Sequence, residues 1–377
     1  MNKIFNCIVV ILSVLQALTS CGGGSTASFD GEPVTMRYAT LLKMTEGDGY
    51  VAADVKNPWS NDSTTLLHRY ILVPRNEQLP ENLPEGELIR TPLQKAVIYT
   101  SVHASLINQL GGYDAIKGVC DVKYMYLDKL QEDVKAGKII NCGESVNPNI
   151  ERIIDLSPDA ILLSPFENSG SYGRLGKLGI PIIECADYME TGPLSRAEWM
   201  RFYGMLVGHQ QEADSLFHEV ETDYNETAAL VKDSHAKPTI VAEKKLGDSW
   251  YVAGANSTMG RMYADAGADY IFSDEAASGS VPYDPELVFD RAQQADLWLI
   301  KYNQATPLTL QQLGKEWPNY TRMKPYMTHH VYGCNLSQVP FYEETPFHPN
   351  ILLRDLISIF HPATLQGHTP RYFQLLK

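Results

Sequence analysis

Basic residues are scarce in this chain. Across 377 residues there are 31 lysines and arginines against 45 aspartates and glutamates, a formal net charge of −14. A nucleic-acid partner calls for a basic surface, so the balance argues against one, and equally against a ligand held by bulk positive charge. Long apolar runs are missing after the first twenty residues, so no later segment reads as a membrane span. The chain has no Gly-x-Ser-x-Gly, no His-Glu-x-x-His and no glycine-rich phosphate loop, and Gly111-Gly112 reads only as a helix stop. No enzymatic activity and no resident cofactor are therefore expected. Cysteine is sparse too: six in all, none with metal-ligand spacing such as Cys-x-x-Cys.

What is present begins at the amino terminus. Lys3 precedes the apolar run from Ile4 to Leu18, too short for a span and suited to a secretory signal. The run ends in Leu18-Thr19-Ser20-Cys21, which resembles the lipobox of bacterial lipoproteins, whose cysteine receives a diacylglycerol before the chain is cut ahead of it. Residues 1–20 are then a signal, Cys21 the lipid site and 21–33 a tether. Acyl chains hold at about 0.8 kcal/mol per buried methylene, so a two- or three-chain anchor is stable. No acidic run follows Cys21, which in the lipoproteins it resembles implies the periplasmic face. Cys7 leaves with the signal. Cys120, Cys142, Cys185 and Cys334 remain, in a compartment that permits disulfides. Cys120–Cys142 is the favoured pair, because each closes a short apolar run in the same half; four free thiols are the alternative.

Residues 34–92 read as a small antiparallel β meander and linker. Runs at Val34–Lys43, Tyr50–Lys56 and Leu66–Val73 are separated by Asp48-Gly49 and Asn57-Pro58 turn signals, and a proline-rich link from Pro74 to Pro92 follows. From 93 to 193 short apolar strands alternate with helices. The strands open at Ala96, Ile116, Asp159 and Pro181, and the helices run over Val102–Leu110, Pro148–Leu156 and Arg174–Leu178. This alternation predicts a parallel sheet covered on both faces. Residues 194–236 carry apolar side chains near helical spacing with no proline from 195 to 232, which predicts one long helix, kinked near Gly204–Gly208 and on the order of 50 Å long. Residues 237–377 resume the alternation, with helices at Thr258–Ala266, Pro285–Ala292, Leu308–Leu313 and Pro349–Phe360.

Two segments repeat one design. Asn149-Ile150-Glu151-Arg152-Ile153 leads to Asp159-Ala160-Ile161, and Asp284-Pro285-Glu286-Leu287-Val288 leads to Asp296-Leu297-Trp298. Each is a short helix with a first-turn glutamate, then an aspartate opening a buried strand, which implies two similar lobes. With Tyr99-Thr100-Ser101, Ser157-Pro158-Asp159, Leu178-Gly179-Ile180-Pro181-Ile182 and Pro349-Asn350-Ile351-Leu352, these motifs resemble the substrate-binding proteins of ABC importers for ferric siderophores, haem and vitamin B12, over roughly Leu93 to Phe360.

The resemblance implies an α/β fold of two Rossmann-like lobes joined by one long helix, here with a small N-terminal antiparallel β extension. It implies a metal chelate as ligand, an inner-membrane ABC permease as partner, and Glu151 and Glu286 as the acidic studs that dock on permease arginines. The ligand is expected between the lobes, at the carboxyl ends of the strands. Candidates there are Tyr99, Ser101, His103, Tyr124, Tyr126, Ser164, Phe166, Asp187 and Tyr188 in the first lobe. In the second they are Trp250, Tyr251, Tyr302, Asn303, Gln304, Phe341 and Tyr342. Aromatic walls suit flat or greasy chelates. His103 is the candidate axial metal ligand, with Tyr124 or Tyr126 as tyrosinate alternatives. The competing readings are a bare transition-metal-ion binder, for which only His103 is well placed, and a chelatase-like enzyme.

Overall fold

The computed structural model describes residues 31–167 and 172–377. The Cys21 lipid site and the signal ahead of it lie outside the described residues.

Two parallel sheets carry the lobes. In the first, Ile182–Glu184, Ala160–Leu163, Ala96–Ile98, Ile116–Val119 and Ile140–Asn141 lie side by side in that order, all parallel. These strands are short and apolar because both faces are covered, as a parallel sheet requires. In the second, the order is Asp269–Tyr270, Thr239–Ala242, Leu297–Tyr302, Val331–Asn335 and Gln374–Leu375, with only the last strand antiparallel. Beside it, Lys245–Leu246, Ser249–Ala253 and Ser280–Tyr283 form a three-stranded antiparallel sheet. The repeated helices lie at Ile150–Leu156 and Pro285–Ala292, capped by the side chains of Asn149 and Asp284.

The appended N-terminal sheet has five strands in sequential order: Glu32–Val34, Leu42–Gly47, Tyr50–Lys56, Leu66–Pro74 and Glu87–Thr91. The first four are antiparallel, but the fifth, inside the segment read as a linker, runs parallel to the fourth. The expected first strand over 34–43 is also displaced, because residues 37–41 spend their amides on side chains. The buried Glu198 carboxylate accepts the amides of Arg37, Tyr38 and Ala39, each at 2.8 Å. The buried Glu190 accepts those of Thr40 and Leu41 at 2.9 and 2.8 Å, the Thr40 hydroxyl at 2.8 Å and the Trp199 indole at 3.0 Å. Glu221 takes the Arg37 guanidinium and the Tyr38 hydroxyl at 2.9 and 2.8 Å.

The connecting segment departs from the expected single helix. It forms three helices, Pro193–Glu198, Met200–Val207 and Gln210–Ala229. Gly208 ends the second in a left-handed conformation at φ 76°, and the bend brings Gly204 so close that a Cβ there would sit 2.5 Å from Ala213 Cβ. The longest straight piece is 20 residues, about 30 Å at 1.5 Å per residue.

A charged network binds this segment to the first lobe. Asp187, fully buried, accepts from His103 Nε2 at 2.9 Å, the Tyr203 hydroxyl at 2.7 Å and Arg196 Nε at 3.0 Å. Thr100 Oγ1 stands 2.6 Å from His103 Nδ1. His103, at 2 % exposure, is therefore part of the core and not an axial ligand facing the cleft. Burial works against a charged His103, but the Cys185 sulfur and the Asp187 carboxylate outweigh it and raise its pKa. Burial likewise opposes the Asp187 anion, and His103 and Arg196 overcome it and depress its pKa.

Two stability predictions follow from these contacts. Glu198→Ala removes the acceptor of three part-buried amides, each bond contributing about 0.5–1.5 kcal/mol, so urea unfolding should show a loss of about 1.5 kcal/mol or more; Glu198→Gln, which keeps one acceptor, should lose less. For the Asp187 pair the depressed carboxylate stabilises above an ordinary aspartate pKa of about 3.9, and the raised imidazole below about 6.5. The stability gap between wild type and Asp187→Asn should thus be widest from about pH 4 to 6.5. It should narrow as pH falls below that window and as it rises above it. A gap flat from pH 3 to 9 in calorimetry would exclude a charged pair.

Candidate functional site

The strands of the first lobe end on one open cavity of about 740 Å³. Tyr99 follows Ala96–Ile98, Asp121 follows Ile116–Val119, Ser145 and Val146 follow Ile140–Asn141, and Ser164 and Phe166 follow Ala160–Leu163. All lie at carboxyl ends, where a parallel sheet leaves a crevice. Thr100, Ser101, Tyr124, Met125 and Tyr172 complete the main walls.

The floor is apolar and neutral. Tyr99 is buried beside the Cys120 thiol, with no nitrogen or oxygen partner for its hydroxyl among the described residues. Burial raises the pKa of Tyr99 and pushes the thiols of Cys120 and Cys142 up to about 12 and about 11. All four described cysteines are free, so the favoured Cys120–Cys142 disulfide is absent. Each sulfur turns instead towards a carbonyl, Cys120 Sγ to Cys142 O at 3.8 Å and Cys142 Sγ to Ile140 O at 3.6 Å.

The rim is aromatic and open. Tyr124 and Phe166 are 55 % and 62 % exposed. Phe166 meets Tyr172 edge-on, with ring centroids 6.4 Å apart. Tyr172 has φ +44°, uncommon for a bulky side chain and a mark of a position held by its surroundings. Its hydroxyl donates to the buried Glu184 at 2.6 Å. Glu184 in turn lies 3.3 Å from His68 Nδ1, and its amide donates to the Tyr70 hydroxyl at 2.8 Å. His68 and Tyr70 stack with centroids 4.5 Å apart and belong to the appended sheet, which thus backs the pocket wall through Glu184.

The structure divides the sequence candidates. Tyr99, Ser101, Tyr124, Ser164 and Phe166 meet at the cavity. Tyr126 lines a smaller adjoining space between the lobes, with Met125, Pro340 and Glu343. Tyr188 is at the edge, its hydroxyl donating to Pro165 O at 2.6 Å. None of the second-lobe candidates lines the large cavity. Trp250 is fully buried, its indole donating to Ala242 O at 3.0 Å and stacking on Trp298 at 5.9 Å. Phe341 is core, packed on Tyr372 and Phe373. The Tyr302 hydroxyl accepts the Leu308 amide at 3.1 Å, and Asn303 and Gln304 bond within their own strand-end turn with Ser337 and Asn335. Tyr251 and Tyr342 are exposed. The second lobe instead reaches the first through Glu343, whose Oε1 accepts from Ser101 Oγ at 2.9 Å. Asp121, Ser145, Val146 and Tyr172 escaped the sequence reading. Asp121 alone carried a signal, since it directly follows the apolar run closed by Cys120.

Glu151 and Glu286 stand in the first turns of equivalent helices, exposed and away from the cavity. Arg174 approaches Glu151 at 3.4 Å. Among the described residues no group of three or more histidines, cysteines or carboxylates is placed to hold a metal ion, and no helix is long and apolar enough to cross a membrane.

Comparison with known proteins agrees with this architecture. An uncharacterized lipoprotein of Methanocaldococcus jannaschii is 26% identical over 368 aligned positions, covering 90% of this chain and 87% of its own. A possible iron-binding periplasmic solute-binding protein of Staphylococcus epidermidis superposes with a TM-score of 0.56 at 18% identity, covering 72% of this chain and 100% of that one. A periplasmic heme binding protein of Pseudomonas aeruginosa gives 0.54 at 15% identity, covering 74% and 96%. The appended sheet lies ahead of the matched family region, which spans residues 96–336, well over half of the sequence. By that match the chain belongs to the periplasmic binding protein family.

Proposed function

We propose that the chain is the substrate-binding component of an ABC importer. It captures a metal chelate, a ferric siderophore, haem or cobalamin, outside the cytoplasm and delivers it to an inner-membrane permease. The observation that carries this reading is the open cavity of about 740 Å³ walled by Tyr99, Tyr124, Phe166 and Tyr172 at the strand ends. Its volume and aromatic walls fit a bulky, partly apolar ligand. Names of structural relatives that bind iron or heme support the same ligand class. The bare-ion alternative loses its best-placed ligand, because His103 is committed to Asp187 and Tyr203. A chelatase would need an acid–base pair at the cavity, and its walls offer a single carboxylate, Asp121, among the described residues.

The direct test is titration of the purified protein with ferric siderophores, haemin and cobalamin, followed by their absorption bands. Saturable binding without turnover is expected. Chemical conversion of the ligand would move the protein to the enzyme class.

Tyr124→Ala or Phe166→Ala should weaken the bound chelate by about 1–3 kcal/mol with little change in stability, since both rings are exposed. Trp250→Ala should do the reverse, because its indole is buried in the second-lobe core.

The docking prediction separates binding from delivery. Glu151→Ala and Glu286→Ala should leave chelate affinity unchanged and lower uptake, the double variant further, and reversal to Lys most of all. Full uptake by the double variant would reduce both residues to helix-start glutamates that only favour the helix dipole. Anchoring is tested separately: Cys21→Ala should release the protein from the membrane or leave an uncleaved precursor. A variant that still enters the detergent phase at mature mass would remove the lipid site.

A further inference from the structure

We infer that the cavity selects uncharged or cationic chelates and rejects anionic ones. The inference rests on the chelate-binding reading and adds the ligand's charge to it. Among the described residues no lysine, arginine or histidine lines the cavity, and its one lining charge is the Asp121 carboxylate.

The nearest cations on the flanking loops already have partners. Lys123 Nζ lies 3.4 Å from Glu144 and 5.0 Å from the Tyr124 ring centroid. Arg174 lies 3.4 Å from Glu151. On the facing lobe Lys301 is paired with Glu243, and Arg371 with Glu344. The group that reaches across to the cavity mouth is another carboxylate, Glu343, bonded to Ser101.

An anionic chelate entering this space would shed water without meeting a cation, which is costly for any buried charge. A cationic arm placed near Asp121 meets the opposite situation. Asp121 accepts one bond from the protein, the Ser145 amide at 3.3 Å on Oδ1, which leaves acceptor capacity for a ligand ammonium. The exposed Tyr124, with the Ser145 and Ser164 hydroxyls on the same walls, offers neutral donors for a chelate oxygen. Hydroxyl donors serve neutral and anionic oxygens alike, so the charge preference comes from Asp121 and the lack of a lining cation among the described residues.

The test titrates the full chain with four coloured or quenching probes of different charge. They are ferrioxamine B (cationic), ferrichrome (uncharged), ferric enterobactin (trianionic) and haemin (bearing two propionates). Ferrioxamine B or ferrichrome is expected to bind at least about tenfold more tightly than either anionic probe. Asp121→Asn, whose side chain tolerates the left-handed backbone at this position, should shift the ferrioxamine-to-ferrichrome affinity ratio about tenfold against the cation. Added salt should erode the same ratio in wild type and not in the variant. Tightest binding of an anionic probe overturns the inference, as does an Asp121→Asn variant with an unchanged ratio. Binding of none of the four, nor of cobalamin, by a folded protein removes the chelate reading itself, and this inference with it.

Discussion

Two buried glutamates, Glu198 and Glu190, tie the amino-terminal extension to the connecting helices by capturing its backbone, and a third, Glu221, adds the Arg37 and Tyr38 side chains. Glu198 and Glu190 between them accept five consecutive amides, from Arg37 to Leu41. A buried carboxylate is costly unless several donors reach it, and in an acidic chain with few basic residues the main chain supplies them. The consequences are long-range. The strand that residues 37–41 would otherwise extend is interrupted, so the appended sheet leans on the connecting helices. The Glu190 carbonyl also accepts the Thr258 hydroxyl at 3.0 Å, at the start of a second-lobe helix. One glutamate thereby touches the appended sheet, the connecting segment and the second lobe.

The same economy governs the cavity. Apart from Asp121, which lines it, the charged groups around it either face one another in the core or back the wall from behind. Asp187 gathers His103, Arg196 and Tyr203 beneath the first-lobe helix at Ser101–Gln109. Glu184 holds Tyr172 from behind, steadied by His68 and Tyr70. The surface left to a ligand is aromatic, hydroxylated and short of positive charge. Pre-ordering such walls lowers the cost of ligand binding, which gives the appended sheet a physical role at a site it never lines.

Much of the architecture could be read in the chain. Apolar strands with glycine and proline punctuation located both parallel sheets, and the paired helix–aspartate motifs revealed two lobes. Five residues that meet at the cavity, Tyr99, Ser101, Tyr124, Ser164 and Phe166, could be picked out from their places after strand ends. What escaped had no local signal. Trp250 and Trp298 look alike whether they line a cleft or fill a core, because burial is a tertiary property. His103 looks like a ligand until Asp187, 84 residues away, claims its ring nitrogen. The break at Gly208–His209 was visible only as a kink, since a periodic pattern continues across a turn whenever both helices bury the same side. Glutamates that cap five amides across more than a hundred residues lie beyond any sequence window.

The division of labour between the lobes has a mechanical consequence. The large cavity belongs to the first lobe, and the second touches its mouth through Glu343 and Ser101. This bond is one of several between the lobes, beside His348 with Gln109 at 2.7 Å and Thr258 with the Glu190 carbonyl at 3.0 Å. A ligand seated in the first lobe is therefore covered, not enclosed, by the second. The glutamates proposed for docking sit one on each lobe, on helices equivalent by the internal repeat. A two-fold permease gripping both would pull on two bodies joined by three helices and this small set of side-chain bonds. Opening at the mouth would break the Ser101–Glu343 bond, whereas the five amide bonds to Glu198 and Glu190, which tie the amino-terminal extension to the connecting segment, do not involve the facing lobe.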